Sequence, residues 1–272
     1  MKKTQVRLLP ATRVFEIKGR ALITGGTSGI GFEFAQQLAQ RGLDLVLVAR
    51  DENRLSQTAA KIKAKYQVDV EVLPADLLQN TGLTSVKERL LASQKPITVF
   101  INNAGAGCYD RLTSKDYAGI RKSAELMALA PMELGGAAAV AMKERGYGLI
   151  ISTISVAALV PMGAYSAIKA MLKFWSDSLY TELLGTGVHV VSFLPSWVRT
   201  EFHARTGVSN SSLPDWIWMN PQEVVAEAIA AAQAGKPTAI PGRKIRVLAF
   251  FAKHLPACVL RKVGQKLNKG RR

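Results

Sequence analysis

Two patterns of hydrophobic and polar positions alternate along the chain. Short apolar runs typical of strands buried on both faces occur at 21–24, 43–49, 68–73, 97–101, 149–152, 188–193 and 238–240. Segments with helical periodicity lie between them, at 31–41, 51–66, 81–94, 123–145, 164–184 and 221–234. This alternation predicts one α/β domain, a doubly wound parallel sheet of about seven strands with helices on both faces.

Composition agrees with a single large domain. The chain has 272 residues, of which 48% are hydrophobic and 21% are charged. We predict a domain at 19–242 with a substrate loop at about 197–219, a basic extension at 1–18 and a basic tail at 243–272. Two cysteines far apart, Cys108 and Cys258, indicate neither a disulfide framework nor a metal site and fit a cytoplasmic location.

The formal net charge is +16, and much of the excess lies near the two ends. Zinc-finger spacing, an RNA-binding signature and a helix-turn-helix are all missing, so we expect a basic solvated surface and no nucleic-acid partner. We also expect no signal peptide and no transmembrane run of about 20 apolar residues. Residues 243–266 mix cations with apolar residues around Pro256. They either contact a membrane surface peripherally or pack over the domain or a partner subunit.

A glycine-rich turn follows the first predicted strand and opens the first helix. It reads Thr24-Gly25-Gly26-Thr27-Ser28-Gly29-Ile30-Gly31. Glycines allow the backbone to approach a pyrophosphate, and the helix N-terminus presents N–H groups to that anion. The context predicts the dinucleotide loop of a Rossmann fold.

The end of the second strand indicates which dinucleotide is preferred. An NAD-preferring site commonly has an acid about 20 residues beyond the loop, but here Ala49 stands there, followed by Arg50. An Arg can pair with a 2′-phosphate, which favours NADP(H) over NAD(H). The alternative is that Arg50 points into solvent or pairs with Asp51.

Tyr165 and Lys169 are four residues apart in a predicted helix and therefore share one face. A nearby cation lowers the affinity of a phenol for its proton, and a free Tyr, with a pKa of roughly 10, needs such help near neutrality. Downstream of a dinucleotide loop, the pair indicates a proton-transferring site.

Together these motifs resemble the short-chain dehydrogenase/reductase family from about Gly19 to Pro241. The resemblance implies hydride transfer between a nicotinamide and a carbonyl or alcohol carbon, with Ser155, Tyr165 and Lys169 as catalytic residues. Tyr165 exchanges the proton, Lys169 holds the ribose and favours the tyrosinate, and Ser155 orients the substrate oxygen. It implies a homodimer or homotetramer built through two long helices; no metal site is expected, because the sequence has no cluster of metal ligands. The implied cofactor-binding residues are Gly25, Thr27, Ser28, Gly29, Ile30, Gly31, Arg50, Asp76, Leu77, Asn103, Ala104, Gly105, Tyr165, Lys169, Pro195, Ser196, Val198 and Thr200.

The chain departs from the family pattern at three positions. Met127 stands where the family has an Asn that supports a proton relay, so an alternative is a nucleotide-binding protein with weak or no turnover. The family usually has its Ser thirteen residues before the Tyr, which is where Ser152 lies. Ser155 is ten residues before Tyr165, so Ser152 stays an alternative to it. Ser196 replaces a Gly beside the cofactor.

Residues at the substrate end indicate a largely apolar substrate. Cys108, Tyr109 and Met162 are placed near the expected pocket. The loop from Trp197 to Trp218 contributes aromatic residues that either form an apolar lid or pack within the fold or a subunit interface. His203, in the same loop, is expected to be a rim residue and not a catalyst. The Ala-rich run from Gly135 to Met142 either packs between subunits or is buried in the monomer.

Overall fold

The computed structural model describes residues 15–108, 110–200 and 217–269. These residues form one parallel sheet in the order β3-β2-β1-β4-β5-β6-β7, which confirms the predicted fold. The strand order reverses between β1 and β4, and a crevice for a ligand forms at the carboxyl ends of strands at such a point. The strands are β1 (Arg20–Thr24), β2 (Asp44–Ala49), β3 (Val70–Pro74), β4 (Ile97–Asn102), β5 (Gly148–Thr153), β6 (Val188–Phe193) and β7 (Thr238–Ala239).

Helices cover both faces of the sheet. The helices are α1 (Gly29–Gln40), α2 (Glu52–Tyr66), α3 (Asn80–Leu91), α4 (Ala118–Ala124), α5 (Ala130–Arg145), α6 (Ala164–Glu182), α7 (Pro221–Gln233), α8 (Arg243–His254) and α9 (Ala257–Lys269). A π-helical turn, Glu125–Leu129, joins α4 to α5, and a 3₁₀ turn, Val156–Leu159, follows β5. The tail is thus two helices separated at Pro256.

Alternation along each strand divides the core between the two faces. In β1, Ala21 and Ile23 pack in a cluster with α1, α2 and α7, whereas Leu22 packs in a second cluster with α3, α5 and α6. In β4, Phe100 belongs to the second cluster and its neighbour Ile101 to the first. Burial on both faces explains why the strands read as continuous apolar runs.

The long Ala-rich helix differs from its prediction. It was expected as one helix from about 123, but it begins at Ala118 and contains the π-helical turn. Pro131 has no N–H to donate to the carbonyl of Met127, four residues earlier, so the α-helical hydrogen-bond ladder is broken there. This break places Met127 in the π-helical turn.

Burial in the core explains why the helical stretch Ala118–Arg145 is apolar over so many residues. The stretch Ala118–Arg145 is long and apolar enough to cross a membrane by length and composition, but 61% of its most apolar part is buried inside the fold. Helix α5 packs on α3, β4 and β5. The Ala-rich face is buried in the monomer, where Gly135 contacts the Trp175 ring.

Parts of the predicted substrate end lie outside the described residues. They are Tyr109 and positions 201–216, which include His203 and most of the predicted apolar lid. Trp197 and Val198 are described, and Val198 forms a bridge with Met219.

Candidate active site

The carboxyl ends of β1 and β4 are joined through one threonine. The backbone N–H groups of Asn103 and Ala104 donate to Thr24 Oγ1 at 2.9 and 3.0 Å, and Asn103 Nδ2 donates to the Thr24 carbonyl at 3.1 Å. Thr24 was not predicted as a site residue. The sequence feature that could have predicted it is a hydroxyl side chain at the last position of a strand, directly before the glycine loop.

The glycine loop forms a cradle made of backbone. A Cβ on Gly31 would lie 2.2 Å from the Gly25 carbonyl oxygen and 2.5 Å from Asn103 Nδ2, which is too close for any side chain. Helix α1 begins inside this cradle, and its first N–H groups have no partner within the helix. The arrangement fits a phosphate-bearing ligand.

A distant segment completes the cradle. A Cβ built on Gly29 would be 3.2 Å from Thr200 Cβ, so the segment after β6 reaches the glycine loop. Pro195 accepts a hydrogen bond from the Val156 N–H at 3.1 Å, which ties this segment to the turn after β5. Ser196 Oγ is buried without a hydrogen-bond partner among residues 15–108, 110–200 and 217–269.

The predicted adenine-side residues follow β3. Asp76 Oδ1 accepts a hydrogen bond from the Leu78 N–H at 3.1 Å, and Leu77 is buried in the core. A Cβ on Gly82 would clash with the Asp76 backbone, so α3 approaches this turn closely. Asp76 and Leu77 therefore lie at the carboxyl end of β3, two strands from β1.

Two arginines flank the turn from β2 to α2, and Arg54, in the first turn of α2, was not predicted as a site residue. Arg50 is exposed directly after the strand. Asp51 caps α2 by accepting from the Arg54 N–H at 2.9 Å. The cap sets the start of α2, and Arg54 Nε donates to the Thr27 carbonyl of the glycine loop at 3.3 Å. The sequence feature that could have predicted Arg54 is its position four residues after Arg50, in the first turn of the helix that follows the strand.

The Tyr–Lys pair lies on α6. Lys169 Nζ is 6.0 Å from the centroid of the Tyr165 ring and donates to the Thr153 carbonyl at 2.9 Å. Tyr165 is half-buried, whereas Lys169 is only 4% exposed. Burial lowers the pKa of Lys169 from 10.5 to about 8, because the charged form loses its hydration. Tyr165 thus has a buried cation nearby, and this cation loses its proton at a lower pH than an exposed lysine would.

The two candidate serines differ in accessibility. Ser152 lies inside β5 and is fully buried. Ser155 lies two residues beyond the strand, is half-buried, and its Oγ accepts from the Ala157 N–H at 3.1 Å, which caps the 3₁₀ turn. That turn packs against α6, the helix of Tyr165. A substrate could therefore reach Ser155 but not Ser152.

Met127 is fully buried and is not inert. Its Sδ accepts a hydrogen bond from the Ala106 N–H at 3.4 Å. It belongs to an apolar cluster with Cys108, Ala164 and Ile168, against which Tyr165 packs. The amide expected from the family pattern is replaced by a weak sulfur acceptor within an apolar wall.

Fold and site define the class of protein: a dinucleotide-binding α/β oxidoreductase with a Tyr–Lys pair. A sequence model of the family described as "short chain dehydrogenase" matches residues 19–209. The chain therefore belongs to the short-chain dehydrogenase/reductase family, whose members act on C=O or CH–OH groups.

Comparisons with individual proteins agree with this assignment. The chain is 30% identical over 217 residues to the very-long-chain 3-oxoacyl-CoA reductase of Bos taurus, covering 77% of this chain and 67% of that protein. A short-chain dehydrogenase from Sphingobium yanoikuyae, solved in complex with NADPH, superposes with a TM-score of 0.79 at 33% identity and covers 92% of this chain and 95% of its own. The bulky-bulky ketone specific alcohol dehydrogenase from Comamonas testosteroni gives a TM-score of 0.75 at 31% identity, covering 87% and 92%.

Proposed function

We propose that this protein is an NADP(H)-dependent oxidoreductase for ketones, or the corresponding alcohols, with large apolar substituents. The observation that carries the proposal is the placement of Tyr165. Its ring is close to buried Lys169 and packs on the apolar cluster around Met127. An apolar wall beside a proton-exchanging phenol suits a hydrophobic carbonyl substrate.

The crevice fits a nicotinamide dinucleotide. The backbone at Gly25 and Gly31 is too closely packed for a side chain on Gly31, and the N-terminus of α1 beside it presents N–H groups that can bind a pyrophosphate. Arg50 at the end of β2 and Arg54 at the start of α2 are cations that can pair with a 2′-phosphate, and Ala49 supplies no acid to oppose it. The NADPH bound by the Sphingobium yanoikuyae relative supports the same preference. When bound, the nicotinamide supplies or accepts the hydride.

The residues of the chain orient the substrate and move its proton. Ser155 Oγ donates a hydrogen bond to the substrate oxygen, and Tyr165 Oη exchanges a proton with it. Protonated Lys169 stabilises negative charge on the phenol from within a buried site, where the interaction is stronger than in water. The alternative is a nucleotide-binding protein with weak or no turnover, because the Met127 thioether cannot replace the hydrogen bonds of an amide in a proton relay.

Two relatives support the apolar substrate class. The printed names of the bovine and Comamonas testosteroni proteins refer to a very-long-chain 3-oxoacyl-CoA and to bulky-bulky ketones. Both are carbonyl compounds with large apolar parts. A test panel therefore contains small ketones, ketones with two bulky substituents, and 3-oxoacyl thioesters of increasing chain length.

The proposal is tested by NADPH oxidation with Tyr165→Phe. Removing the phenolic proton donor lowers turnover by roughly 10²–10⁴-fold, while NADPH binding is retained. Tyr180→Phe is the matched control, since Tyr180 lies on the same helix, is partly buried beside His189, and its substitution should leave turnover unchanged. Unchanged turnover in Tyr165→Phe, or a preference for NADH, would contradict the proposal.

We further propose a cytoplasmic homodimer formed through α5 and α6. Phe174, Met171 and Val140 on these helices are exposed, and Phe174 is 77% exposed. A cluster of large apolar residues on two adjacent helices suits a symmetric interface. Phe174→Glu shifts the protein towards monomer in sedimentation velocity. A sedimentation coefficient identical to that of the wild type would contradict this interface.

A further inference from the structure

Helix α8 presents a large apolar face to solvent. Ile245 and Ala249 are buried against the domain, whereas the opposite side carries Val247, Leu248, Phe250 and Phe251, each 53–58% exposed. We call these four residues the α8 outer face. Four large apolar side chains exposed within five consecutive positions of one helix are typical of a protein or membrane interaction site, since large exposed apolar patches are rare on monomeric soluble proteins.

Cations surround this face, and acids are missing from the segment. Positions 243–272 contain ten Lys and Arg residues and no Asp or Glu. Arg243, Lys253 and Lys262 are exposed, and α9 adds the partly exposed Val259 and Val263. The two helices therefore combine apolar side chains with a strong positive charge.

The helices are firmly seated on the domain. Glu227 of α7 accepts a hydrogen bond from the Gly242 N–H at 3.1 Å and pairs with Arg246 at 3.6 Å. A Cβ at Gly264 of α9 would lie 2.1 Å from the Pro161 carbonyl oxygen, so the two backbones are in contact. The outer face is thus held in a fixed orientation by the fold.

We propose that the α8 outer face docks on an anionic lipid bilayer. Helices that lie in a membrane interface insert apolar and aromatic side chains while Lys and Arg contact acidic headgroups. A second copy of the chain suits this face poorly, because two acid-free cationic segments would then meet. A nucleic acid would engage the cations but would leave the aliphatic residues in water.

The docking surface borders the candidate active site. Helix α8 packs against the 3₁₀ turn that Ser155 caps, and α9 contacts Pro161, shortly before α6 and Tyr165. A docked bilayer would lie beside these elements. As a consequence that rests on the proposed function, an apolar ketone would enter the pocket from the membrane.

The test is co-sedimentation of the full chain with phosphatidylcholine vesicles, prepared with and without phosphatidylglycerol. Wild type should bind only the anionic vesicles and be released by high salt. Phe250→Ser/Phe251→Ser should lower partitioning by at least about tenfold, because apolar insertion is lost. Leu91→Ser/Leu184→Ser, which removes two exposed leucines elsewhere, should bind like the wild type.

A charge-reversal pair separates local docking from general attraction. Lys253→Glu/Lys262→Glu should abolish binding, whereas Lys61→Glu/Lys65→Glu on α2, with the same change in net charge, should not. Equal losses in both variants would overturn the proposal, as would wild type that stays in the supernatant. Tighter binding to duplex DNA than to vesicles would assign the surface to nucleic acid.

Two further readouts keep this proposal separate from its alternatives. If Phe250→Ser/Phe251→Ser dissociates an oligomer in sedimentation velocity without lipid, the face is an interface between copies and the proposal is wrong. Turnover of a water-soluble ketone with NADPH should stay unchanged in that variant. Because this assay needs no membrane, its failure in the wild type would count against the proposed function and not against docking.

Discussion

The crevice between β1 and β4 and the candidate catalytic region after β5 are built in different ways. In the crevice, backbone and short side chains do the positioning: Gly31 lies against the Gly25 carbonyl, and Thr24 binds two backbone N–H groups. In the candidate catalytic region, long side chains do the positioning: Lys169 on α6 donates a hydrogen bond to the Thr153 carbonyl at the end of β5. A backbone cradle tolerates no added atom, whereas a side-chain site depends on burial and charge.

We expect the greatest loss of turnover from a substitution in the candidate catalytic region. Lys169→Met should lower NADPH-dependent turnover by roughly 10²–10⁴-fold, because the phenol loses its cation. In the wild type, turnover should fall above about pH 8, where the lysine, with a pKa lowered by burial to about 8, loses its proton. Lys173→Met is the control: it lies one turn further along α6, pairs with Asp177, and should leave turnover unchanged.

Lys169→Met should also stabilise the fold of the protein when no ligand is bound. Between about pH 8 and the unfolded value of 10.5, the unfolded chain binds more protons at this lysine, so stability rises with pH through that window. At neutral pH the cost of burying the charge is therefore fully present. Removing it should raise the free energy of unfolding by on the order of 1–3 kcal/mol, measured by urea titration. A destabilised Lys169→Met would show that the contact with Thr153 outweighs the desolvation.

The next effect tests the crevice. Gly31→Ala places a methyl group against the Gly25 carbonyl and should weaken NADPH binding at least ~100-fold while destabilising the fold by about 1–3 kcal/mol. Gly136→Ala is the control, since nothing in the described residues beyond its chain neighbours and its own helix backbone lies within 4 Å of its Cβ position, and it should stabilise α5 by ~0.5–1 kcal/mol. Calorimetric binding of NADPH to Gly31→Ala with wild-type affinity would mean that the cradle is not tight.

The smallest effect concerns the choice of cofactor. Arg54→Ala should weaken NADPH binding about tenfold and NADH binding much less, because only NADPH carries the 2′-phosphate. Lys61→Ala, further along the exposed side of α2, should change neither. Equal losses for the two cofactors would assign Arg54 to holding Thr27 in the glycine loop, and not to recognising the phosphate.

The two regions also differed in how far they could be predicted. The glycine loop and the alternation of strands and helices were visible because the loop needs particular residues in consecutive positions and buried parallel strands are apolar throughout. The joining of Thr24 to Asn103 was missed, because it connects residues 79 positions apart. Arg54 was missed for a related reason: its contact with Thr27 depends on how α2 packs against α1 and β2.

The order of the elements, the doubly wound sheet and the placement of Tyr165 and Lys169 on one helix face could be predicted from the sequence, because they depend on local periodicity and on residues four positions apart. Three features depend on tertiary contacts: which serine is accessible, the hydrogen bond from the Ala106 N–H to Met127, and the exposure of the α8 outer face among the described residues. Each of these is a question of burial. Burial depends on which surfaces, distant in sequence, pack together. Because hydrophobic contact is non-directional, the sequence does not show which residues will pack against each other.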